Sequence, residues 1–329
     1  MGGAVAAWSA LATLSLAGRA VVGPPLGLIA VLTALPWLWL GLTAALSVVA
    51  IGRRSRTLAA LAGATGLLWL SVWGRAWAPW PDRAAAGEPL RILSWNVQRL
   101  GWEDADASPR LDCVAQEVSR QDPDAVAFLE VSARDVERLS ARLGLDCVQV
   151  DYRGTGGAGR GGLAACARGA RWKLGENSPR RFADDIDWYY VFAELVPQGG
   201  GPVFNLLTVH LQPHGLLPGQ PDRVVEHHQR ETEALLDRMS RLRDPTVLAG
   251  DFNSARDAAI HARLRHTLTD TWERAGLGPG FTVQVADRVP LRIDYIYATP
   301  TFGVTDARIS AADCSDHRPV VADLVLRAP

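Results

Sequence analysis

An uneven distribution of charge divides this 329-residue chain into two parts. The first acidic residue is Asp82, and before it the charged side chains are those of Arg19, Arg53, Arg54, Arg56 and Arg75. The remainder carries all 35 acidic residues and 29 of the 34 basic ones, a formal charge of −6 against −1 for the whole chain. Because polyanion binding depends on Lys and Arg, this acidic part weakly disfavours nucleic acid as a substrate.

Three apolar stretches precede residue 80, over about residues 3–18, 26–51 and 57–77. A membrane-spanning helix needs ~20 apolar residues, so the second and third are long enough, whereas the first is short. A cleaved signal peptide is the alternative for the first stretch, but it lacks a basic leading region and further apolar stretches follow it. We predict a transmembrane anchor of about three helices over residues 1–80 and a linker over 81–89.

The arginines indicate how such an anchor is oriented. Arg53, Arg54 and Arg56 lie between the second and third stretches, and positively charged loops favour the cytoplasmic side. Arg75 near the far end of the third stretch and Arg83 after it weaken this bias. We predict a multi-pass protein of the cell membrane, with membrane lipid as a partner and everything after the third helix outside the cytoplasm.

Four tryptophans lie at the end of the apolar part. Trp69, Trp73 and Trp77 recur every four residues and therefore share one face of a helix, and Trp80 follows them. Aromatic rings of this kind are favoured at the membrane–water interface. Packing against other helices or against the following domain is the alternative.

From residue 90 onward, short apolar runs typical of strands alternate with helical patterns. This alternation predicts an α/β domain over residues 90–329. Glycine is dense over residues 154–162, but the spacing matches neither a phosphate-binding loop nor a dinucleotide-binding fingerprint. We interpret it as a hairpin loop in which Arg160 is a weak candidate for contacting a phosphate. The predicted strands cover 90–97, 125–130, 147–152, 162–167, 189–195, 203–210, 245–249, 292–297 and 319–326, and the predicted helices 110–120, 133–143, 222–243 and 257–265.

The four cysteines all lie in the second part, at Cys113, Cys147, Cys166 and Cys314. Their spacing is not that of a zinc site. If Cys147 and Cys166 lie on neighbouring strands of one hairpin, a disulfide is possible in an oxidising compartment. Four buried thiols are the alternative.

Polar side chains recur where the predicted strands end. Taken singly, each has an ordinary structural explanation as a turn residue, a helix-capping acid or a core histidine. Asp294 is harder to explain, because an unpaired carboxylate between Ile293 and Ile296 is costly to bury and needs a partner such as His317. The other strand-end residues are Asn96, Glu130, His210, Asp251, Asn253 and Asp316.

In this order and spacing, the motifs SWNV, FLE, TVHL, GDFN, RIDYI and SDHRP resemble those of the endonuclease/exonuclease/phosphatase superfamily. That superfamily includes DNase I-like nucleases, sphingomyelinases and inositol-polyphosphate phosphatases. The resemblance covers about residues 90–326. It implies a four-layer α/β sandwich with two mixed β-sheets and an active site at one rim.

The same resemblance implies roles for the strand-end residues. Glu130 is the expected main ligand of a divalent ion, with Asn96 and Asp316 assisting. Oxygen ligands favour Mg²⁺, with Mn²⁺ as the alternative. By the same resemblance, Asp251 and Asn253 are expected to orient the attacking water. His317, held by Asp294, is expected to act as a base or as a cation. His210 is expected to contact the phosphate or the leaving group.

The layout of an apolar anchor before such a domain is similar to that of the membrane-bound VanJ-type proteins associated with teicoplanin resistance. This resemblance implies a phosphorylated envelope lipid, such as a polyprenyl pyrophosphate, as substrate. A membrane-tethered nuclease is one alternative, and a domain that binds envelope precursors without turnover is another. No obligate protein partner is predicted.

Overall fold

The computed structural model describes residues 36–82, 86–100, 108–153, 160–183, 186–212, 222–242, 245–256, 258–285 and 289–327. Two helices begin the described chain, α1 (Pro36–Gly52) and α2 (Arg56–Trp73), and the 3₁₀ turn Gly74–Trp77 follows them. They overlap the second and third predicted helices, of which residues 26–35 lie outside the described part of the chain. The first predicted helix lies outside the described residues.

As described, α1 has 17 residues and α2 has 18, and both consist mainly of apolar residues. Among the described residues, we find no helix with both the length and the apolar content that crossing a membrane requires.

The first of two six-stranded sheets has the order β13-β14-β1-β2-β4-β3. Its neighbouring strands are antiparallel except for β1 and β2, which run parallel. Its strands are β1 (Gly87–Leu100), β2 (Ala125–Val131), β3 (Leu145–Arg153), β4 (Arg160–Arg168), β13 (Phe302–Ile309) and β14 (Val320–Arg327).

The second sheet has the order β5-β6-β7-β8-β12-β9, and its parallel pair is β7 and β8. Its strands are β5 (Trp172–Ala183), β6 (Ile186–Pro197), β7 (Phe204–His210), β8 (Thr246–Asp251), β9 (Thr269–Asp270) and β12 (Asp294–Ala298), while β10 (Val283–Val285) and β11 (Val289–Leu291) form a separate ribbon. The remaining helices are α3 (Ser108–Gln121), α4 (Ala133–Leu143), α5 (Asp222–Arg241), α6 (Ala259–Leu264) and α7 (Thr271–Ala275).

Alternation along β1 explains how the layers form. Leu90 and Ile92 belong to the core shared with the second sheet, whereas Leu93 and Trp95 belong to the core under α3 and α4. Successive strand residues point to opposite faces, so one strand supplies both cores. The predicted α/β fold with two mixed sheets is confirmed.

Two long strands, β5 and β13, were not predicted from the sequence. Each forms an edge of its sheet. β5 contains Gly175 and Pro179, and proline is tolerated in edge strands because its missing N–H costs no ladder hydrogen bond there. Edge strands are also less constrained to be apolar, which removes the signal that sequence analysis uses.

The chain that follows the 3₁₀ turn is hydrogen-bonded to the α/β body. The N–H of Asp82 donates to the Val304 carbonyl at 2.7 Å, and its carboxylate accepts from the Val304 N–H at 2.9 Å and pairs with Arg274. Burial raises the pKa of Asp82, but the Arg274 and Val304 bonds outweigh it and the pKa is lowered. β1 then begins at Gly87, within the segment predicted to be linker.

All four cysteines form disulfides. Cys147 and Cys166 are directly opposite each other on β3 and β4, with Cα atoms 4.1 Å apart, which matches the pairing considered from the sequence. Cys113 on α3 pairs with Cys314 in the loop before β14, at a separation of 201 residues. This second bridge was not predicted, because nothing in the spacing brings these two positions together.

Candidate active site

Both parallel strand pairs end at the same rim of the sandwich. In the first sheet, Asn96 on β1 pairs with Leu129 on β2, so the next residue, Glu130, lies beside it. The Asn96 Nδ2 donates to Glu130 Oε1 at 2.9 Å. Carboxyl ends of adjacent parallel strands lie at one edge of a sheet, so this amide–carboxylate pair follows from the strand order.

The second sheet places three more side chains in a row. His210 on β7 is in register with Asp251 on β8, which pairs on its other side with Asp294 on β12. Gly250, with φ 152°, allows β8 to approach β7, since a Cβ at this position would lie 1.8 Å from the Val209 carbonyl oxygen. Only glycine adopts this backbone conformation readily.

Asn96 joins the two sheets at this rim. Its Nδ2 donates both to Glu130 Oε1 and to Asp251 Oδ2, the latter at 3.1 Å in a buried contact. Its Oδ1 accepts from the backbone N–H of Gln98 at 3.0 Å. One buried amide therefore fixes the separation of two carboxylates from different sheets.

His210 faces both of those carboxylates. Its Nε2 lies 3.8 Å from Glu130 Oε1 and 3.7 Å from Asp251 Oδ2, while its Nδ1 is 2.9 Å from the Tyr152 hydroxyl. Burial raises the pKa of Tyr152 well above its usual value, and the nearby carboxylates add to this effect. Tyr152 therefore keeps its proton, and its hydroxyl can donate to Nδ1 in the tautomer that carries the imidazole proton on Nε2.

Tyr152 is a site residue that sequence analysis missed. It is opposite Gly161 across β3 and β4, and a Cβ on Gly161 would lie 2.8 Å from the tyrosine ring. The glycine therefore makes room for the ring that supports His210. Part of the glycine-rich segment belongs to strand β4. The sequence signal that could have indicated Tyr152 is an aromatic residue placed opposite a glycine in a predicted hairpin.

His317 and Asp294 form a buried pair, as the sequence led us to expect. The His317 Nδ1 lies 2.9 Å from Asp294 Oδ2 and 3.8 Å from Asp251 Oδ2. Burial lowers the pKa of His317, but the charge and hydrogen bond of Asp294, with Asp251 and Asp316, outweigh burial and raise the pKa to about 10. His317 is therefore a cation at neutral pH, with its Nε2 directed away from Asp294.

Asp251 lies at the centre of the cluster. Burial, followed by the charge of Asp294, raises its pKa to about 6, and His317, His210 and the Asn253 N–H act against this rise. The Asn253 N–H donates to Asp251 Oδ1 at 2.7 Å. Glu130 and Asn253 both have positive φ values, 54° and 46°, which non-glycine residues seldom adopt and which cluster at functional sites.

The two remaining predicted residues lie at the margin. Asp316 is exposed and accepts from the Ser315 hydroxyl at 3.3 Å, and that hydroxyl also donates to the Asn96 carbonyl at 2.8 Å. Asp316 is thereby close to the Asn96 end of β1. The backbone of Arg160 begins β4 beside Tyr152 and Gly161, whereas its side chain lies outside what the structure describes.

Sequence comparison matches residues 93–317 to the Endonuclease/Exonuclease/phosphatase family. The chain belongs to this family. A search of curated proteins found no match.

Solved structures share the fold at low identity. They include an endonuclease/exonuclease/phosphatase from Bacteroides vulgatus (21% identity, TM-score 0.61, 73% of this chain and 100% of that one). A mannosyl-6-phosphatase from Bacteroides thetaiotaomicron has 20% identity and a TM-score of 0.57, and the match covers 72% of this chain and 99% of that one. The human Nocturnin catalytic domain with bound sulfate has 19% identity and a TM-score of 0.57, and the match covers 74% of this chain and 97% of that one.

The rim where the two parallel strand pairs end is suited to a divalent cation. This family of phosphoesterase-type hydrolases generally uses such a cation. Glu130, Asp251, Asp294 and Asp316 supply carboxylate oxygens, and Oδ1 of buried Asp294 has no hydrogen-bond partner among the described residues. Oxygen-rich sets of this kind suit hard cations. The excess of carboxylates over imidazoles leaves negative charge that a cation would balance.

Two clusters of ligating atoms occur in the described part of the chain. Asp251, Asp294 and His317 have ligating atoms within 4.8 Å of one another, but the His317 Nδ1 is already bonded to Asp294. The other cluster includes Cys113 and Cys314, whose sulfurs are bonded to each other. Glu130 is more accessible than the buried acids of the first cluster, because its side chain is 22% exposed against 2% for Asp251 and 1% for Asp294.

A further buried acid supports the chain that follows β7. Glu231 on α5 accepts from the Gln212 N–H at 2.9 Å, and His228 Nδ1 lies 2.8 Å from the Gln212 carbonyl oxygen. Burial raises the pKa of Glu231 to about 8, although the bonds from Gln212 act against this. Gln212 is two residues from His210, so this acid stabilises the segment that carries a catalytic candidate.

We expect Asp294→Asn to lower the pKa of His317 from about 10. The substitution removes the main cause that raises this pKa and retains the burial that lowers it. NMR titration of the imidazole in chelator-treated protein measures the change. Glu176→Gln, an exposed site on β5, is the control. An unaltered His317 titration in Asp294→Asn would contradict the assignment.

We expect the wild-type protein to lose stability relative to Glu231→Gln as the pH rises. The unfolded pKa is 4.5 and the folded pKa is about 8, so the folded state holds the extra proton between these values. The free energy of unfolding therefore falls with pH across this window, by up to about 1.4 kcal/mol per pH unit. Urea denaturation from pH 5 to 8 measures the difference between the two proteins. A difference that does not vary with pH would exclude this explanation.

Proposed function

We propose that this protein is a Mg²⁺-dependent hydrolase of phosphoester or pyrophosphate bonds, acting on a lipid-linked phosphate at the membrane surface. The observation that carries the hydrolytic part is the Asn96 amide. It brings Glu130 and Asp251 together, and the imidazoles of His210 and His317 lie within 3.8 Å of Asp251. Carboxylates and imidazoles that converge at one rim supply both metal ligands and proton-transfer groups.

Glu130 is the main ligand in this proposal, because it is the more exposed of the two carboxylates that Asn96 joins. Asn96 would assist by holding the Glu130 carboxylate through its Nδ2, and Asp316 would contribute from the neighbouring loop. Mg²⁺ suits this set because it retains waters and binds through few carboxylates, and Mn²⁺ is the second choice. When bound, the ion would stabilise the charge that develops on the phosphoryl oxygens.

The protein groups divide the proton chemistry between them. Asp251 is oriented by Asn253 and Asn96 and, with a pKa of about 6, is ionised at neutral pH and able to accept a proton from water. His317 carries a positive charge and would donate from Nε2 to a phosphoryl oxygen. His210 would contact the phosphate or the leaving group through Nε2.

The distribution of exposed apolar side chains supports a membrane location. Among the described residues, most large exposed apolar side chains belong to the segment before residue 82, and the exception is Leu277. Such a concentration is unusual for a surface in contact only with water. These side chains are Val48, Ile51, Leu67, Leu70, Trp77, Trp80 and Leu277.

The helical segment also joins the body near the proposed site. The Gly278 N–H donates to the Ala76 carbonyl at 2.6 Å, next to Trp77. Thr282 is four residues further on, and its Oγ1 accepts from the N–H of Asp294 at 3.3 Å. Four residues span at most about 14 Å, so α2 and its lipid surroundings would lie close to the rim.

The two disulfides support a location outside the cytoplasm, because disulfides persist in oxidising compartments. This agrees with the orientation that the cluster Arg53, Arg54 and Arg56 favours. Together with the resemblance in layout to VanJ-type proteins, it extends the proposal to a contribution to glycopeptide resistance through an envelope lipid.

We expect purified full-length protein in detergent with Mg²⁺ to release phosphate from a polyprenyl pyrophosphate. Asp251→Asn and His317→Ala should each lower the rate on the order of 100-fold or more, since general acid–base groups contribute at least that much. Chelation should abolish release and Mg²⁺ should restore it. The exposed Glu176→Gln serves as the matched control.

The substrate panel includes nucleotides, inositol phosphates and plasmid DNA. Degradation of DNA without turnover of any lipid phosphate would replace this proposal with the tethered-nuclease alternative. Specific binding of an envelope precursor without turnover of any substrate would favour the binding-domain alternative.

We expect the C-terminus to lie outside the cytoplasm. Fusion of alkaline phosphatase after Pro329 should give an active reporter, whereas fusion of green fluorescent protein by the same export route should give little fluorescence. A fluorescent green fluorescent protein fusion together with an inactive alkaline phosphatase fusion would contradict the proposed orientation.

A further inference from the structure

The loop between β13 and β14 carries His317 and is bonded to the end of β1 at two points. The Ser315 hydroxyl donates to the Asn96 carbonyl at 2.8 Å, and the Trp95 indole N–H donates to the His317 carbonyl at 2.9 Å. The His317 N–H also donates to the Ser315 hydroxyl at 3.2 Å. The backbone positions of Asn96 and His317 are therefore set by one another.

Helix α3 holds the other side of this loop. Arg110 donates from Nη2 to the carbonyls of Val97 and Gln98 at 2.7 and 2.9 Å, and from Nε to the Cys314 carbonyl at 3.4 Å. Cys113 lies three residues further along the same helix and forms the disulfide with Cys314. Residues three apart share a helix face, so one face of α3 contacts both the end of β1 and the loop.

We propose that the Cys113–Cys314 disulfide is a positioning element that holds the Ser315–His317 loop against the end of β1, so that hydrolysis depends on the oxidised bridge. This inference rests on the proposed function. Cys314 precedes Ser315 directly and is three residues from His317. A covalent bond at this point fixes the distance between the loop and α3.

The position of the bridge is what gives it this role. Asp316 and Arg318 are exposed, and Cys314 and Ser315 are only half-buried, so the loop lies at the surface. Its opposite side is held by the β-bridge between Val283 and His317. Near Cys314 the hydrogen bond from α3 to the loop is the long Arg110 contact, whereas the bonds from Arg120 and Gln121 reach Ser310 at the far end of the loop.

The other disulfide provides a matched control. Cys147 and Cys166 lie on strands that are already paired from Leu145 to Arg153 along their whole length. Removal of that bridge leaves the strand pairing in place, and Cys147 is five residues away from Tyr152. Its loss should not alter the position of the catalytic groups.

Reduction by dithiothreitol tests the bridge chemically. The dithiol supplies two electrons, the sulfur–sulfur bond breaks, both cysteines become thiols, and the reagent closes to its cyclic disulfide. Alkylation and mass spectrometry then report which of the two bridges was opened.

We expect reduction to lower kcat of the full-length wild-type protein by about 10-fold or more, because a misplacement of ~1 Å in a catalytic group can cost on the order of 100-fold. The variant Cys147→Ala/Cys166→Ala should have wild-type activity and the same sensitivity to reduction. The variant Cys113→Ala/Cys314→Ala should have a low kcat that reduction does not change. Reoxidation should restore the wild-type rate.

Hydrogen exchange separates local positioning from general destabilisation and does not depend on activity. In Cys113→Ala/Cys314→Ala, exchange should increase within residues 311–318 and remain unchanged in β7 and β8. Unchanged exchange in this loop, or full wild-type activity after confirmed reduction of both bridges, would overturn the inference. An oxidised wild type that hydrolyses no phosphoester would instead refute the proposed function, and the exchange result would still decide whether the bridge positions the loop.

Discussion

The two hydrogen bonds donated by the Asn96 amide are the contacts on which the rest of the site depends. They connect Glu130 at the end of β2 with Asp251 at the end of β8, and thus the rim of one sheet with the rim of the other. Each carboxylate comes from the centre of its sheet, where a parallel strand pair ends. The sandwich therefore brings opposing catalytic groups together without a long loop, and a buried amide sets their distance.

Much of this site could be predicted from the sequence because it is built at strand ends. The order of the motifs identifies β1, β2, β7, β8 and β12, and each of them ends or begins at the rim that the parallel pairs define. The need of Asp294 for a partner follows from its apolar neighbours alone. The pairing with His317 is observed, with Nδ1 at 2.9 Å from Asp294 Oδ2.

The features that were missed are those whose signal is not local. β5 and β13 are edge strands, which tolerate glycine, proline and charge, so their sequences lack the apolar alternation of the inner strands. Tyr152 supports His210 across 58 residues, and Cys113 pairs with Cys314 across 201. Contacts at such separations depend on the order of the strands in the sheets, and a single sequence does not specify that order.

The segment between α7 and β12 contacts both the N-terminal helical segment and the buried His317–Asp294 pair. Near its start, Gly278 contacts Ala76 and Trp77 at the end of the N-terminal helices. Further along, Thr282 accepts from the Asp294 N–H, and its carbonyl accepts from the N–H of Arg318 at 2.7 Å. Residues 278–282 therefore contact the N-terminal helical segment at one end, and at the other end they bond to the backbone beside both His317 and Asp294. Five residues, 278–282, thus contain both the contact with the helical segment and the contacts with the pair, whereas β1 is an inner strand of a six-stranded sheet. Among the site residues, Asp294 and His317 are therefore the two that backbone hydrogen bonds connect most directly to the segment in contact with Ala76 and Trp77.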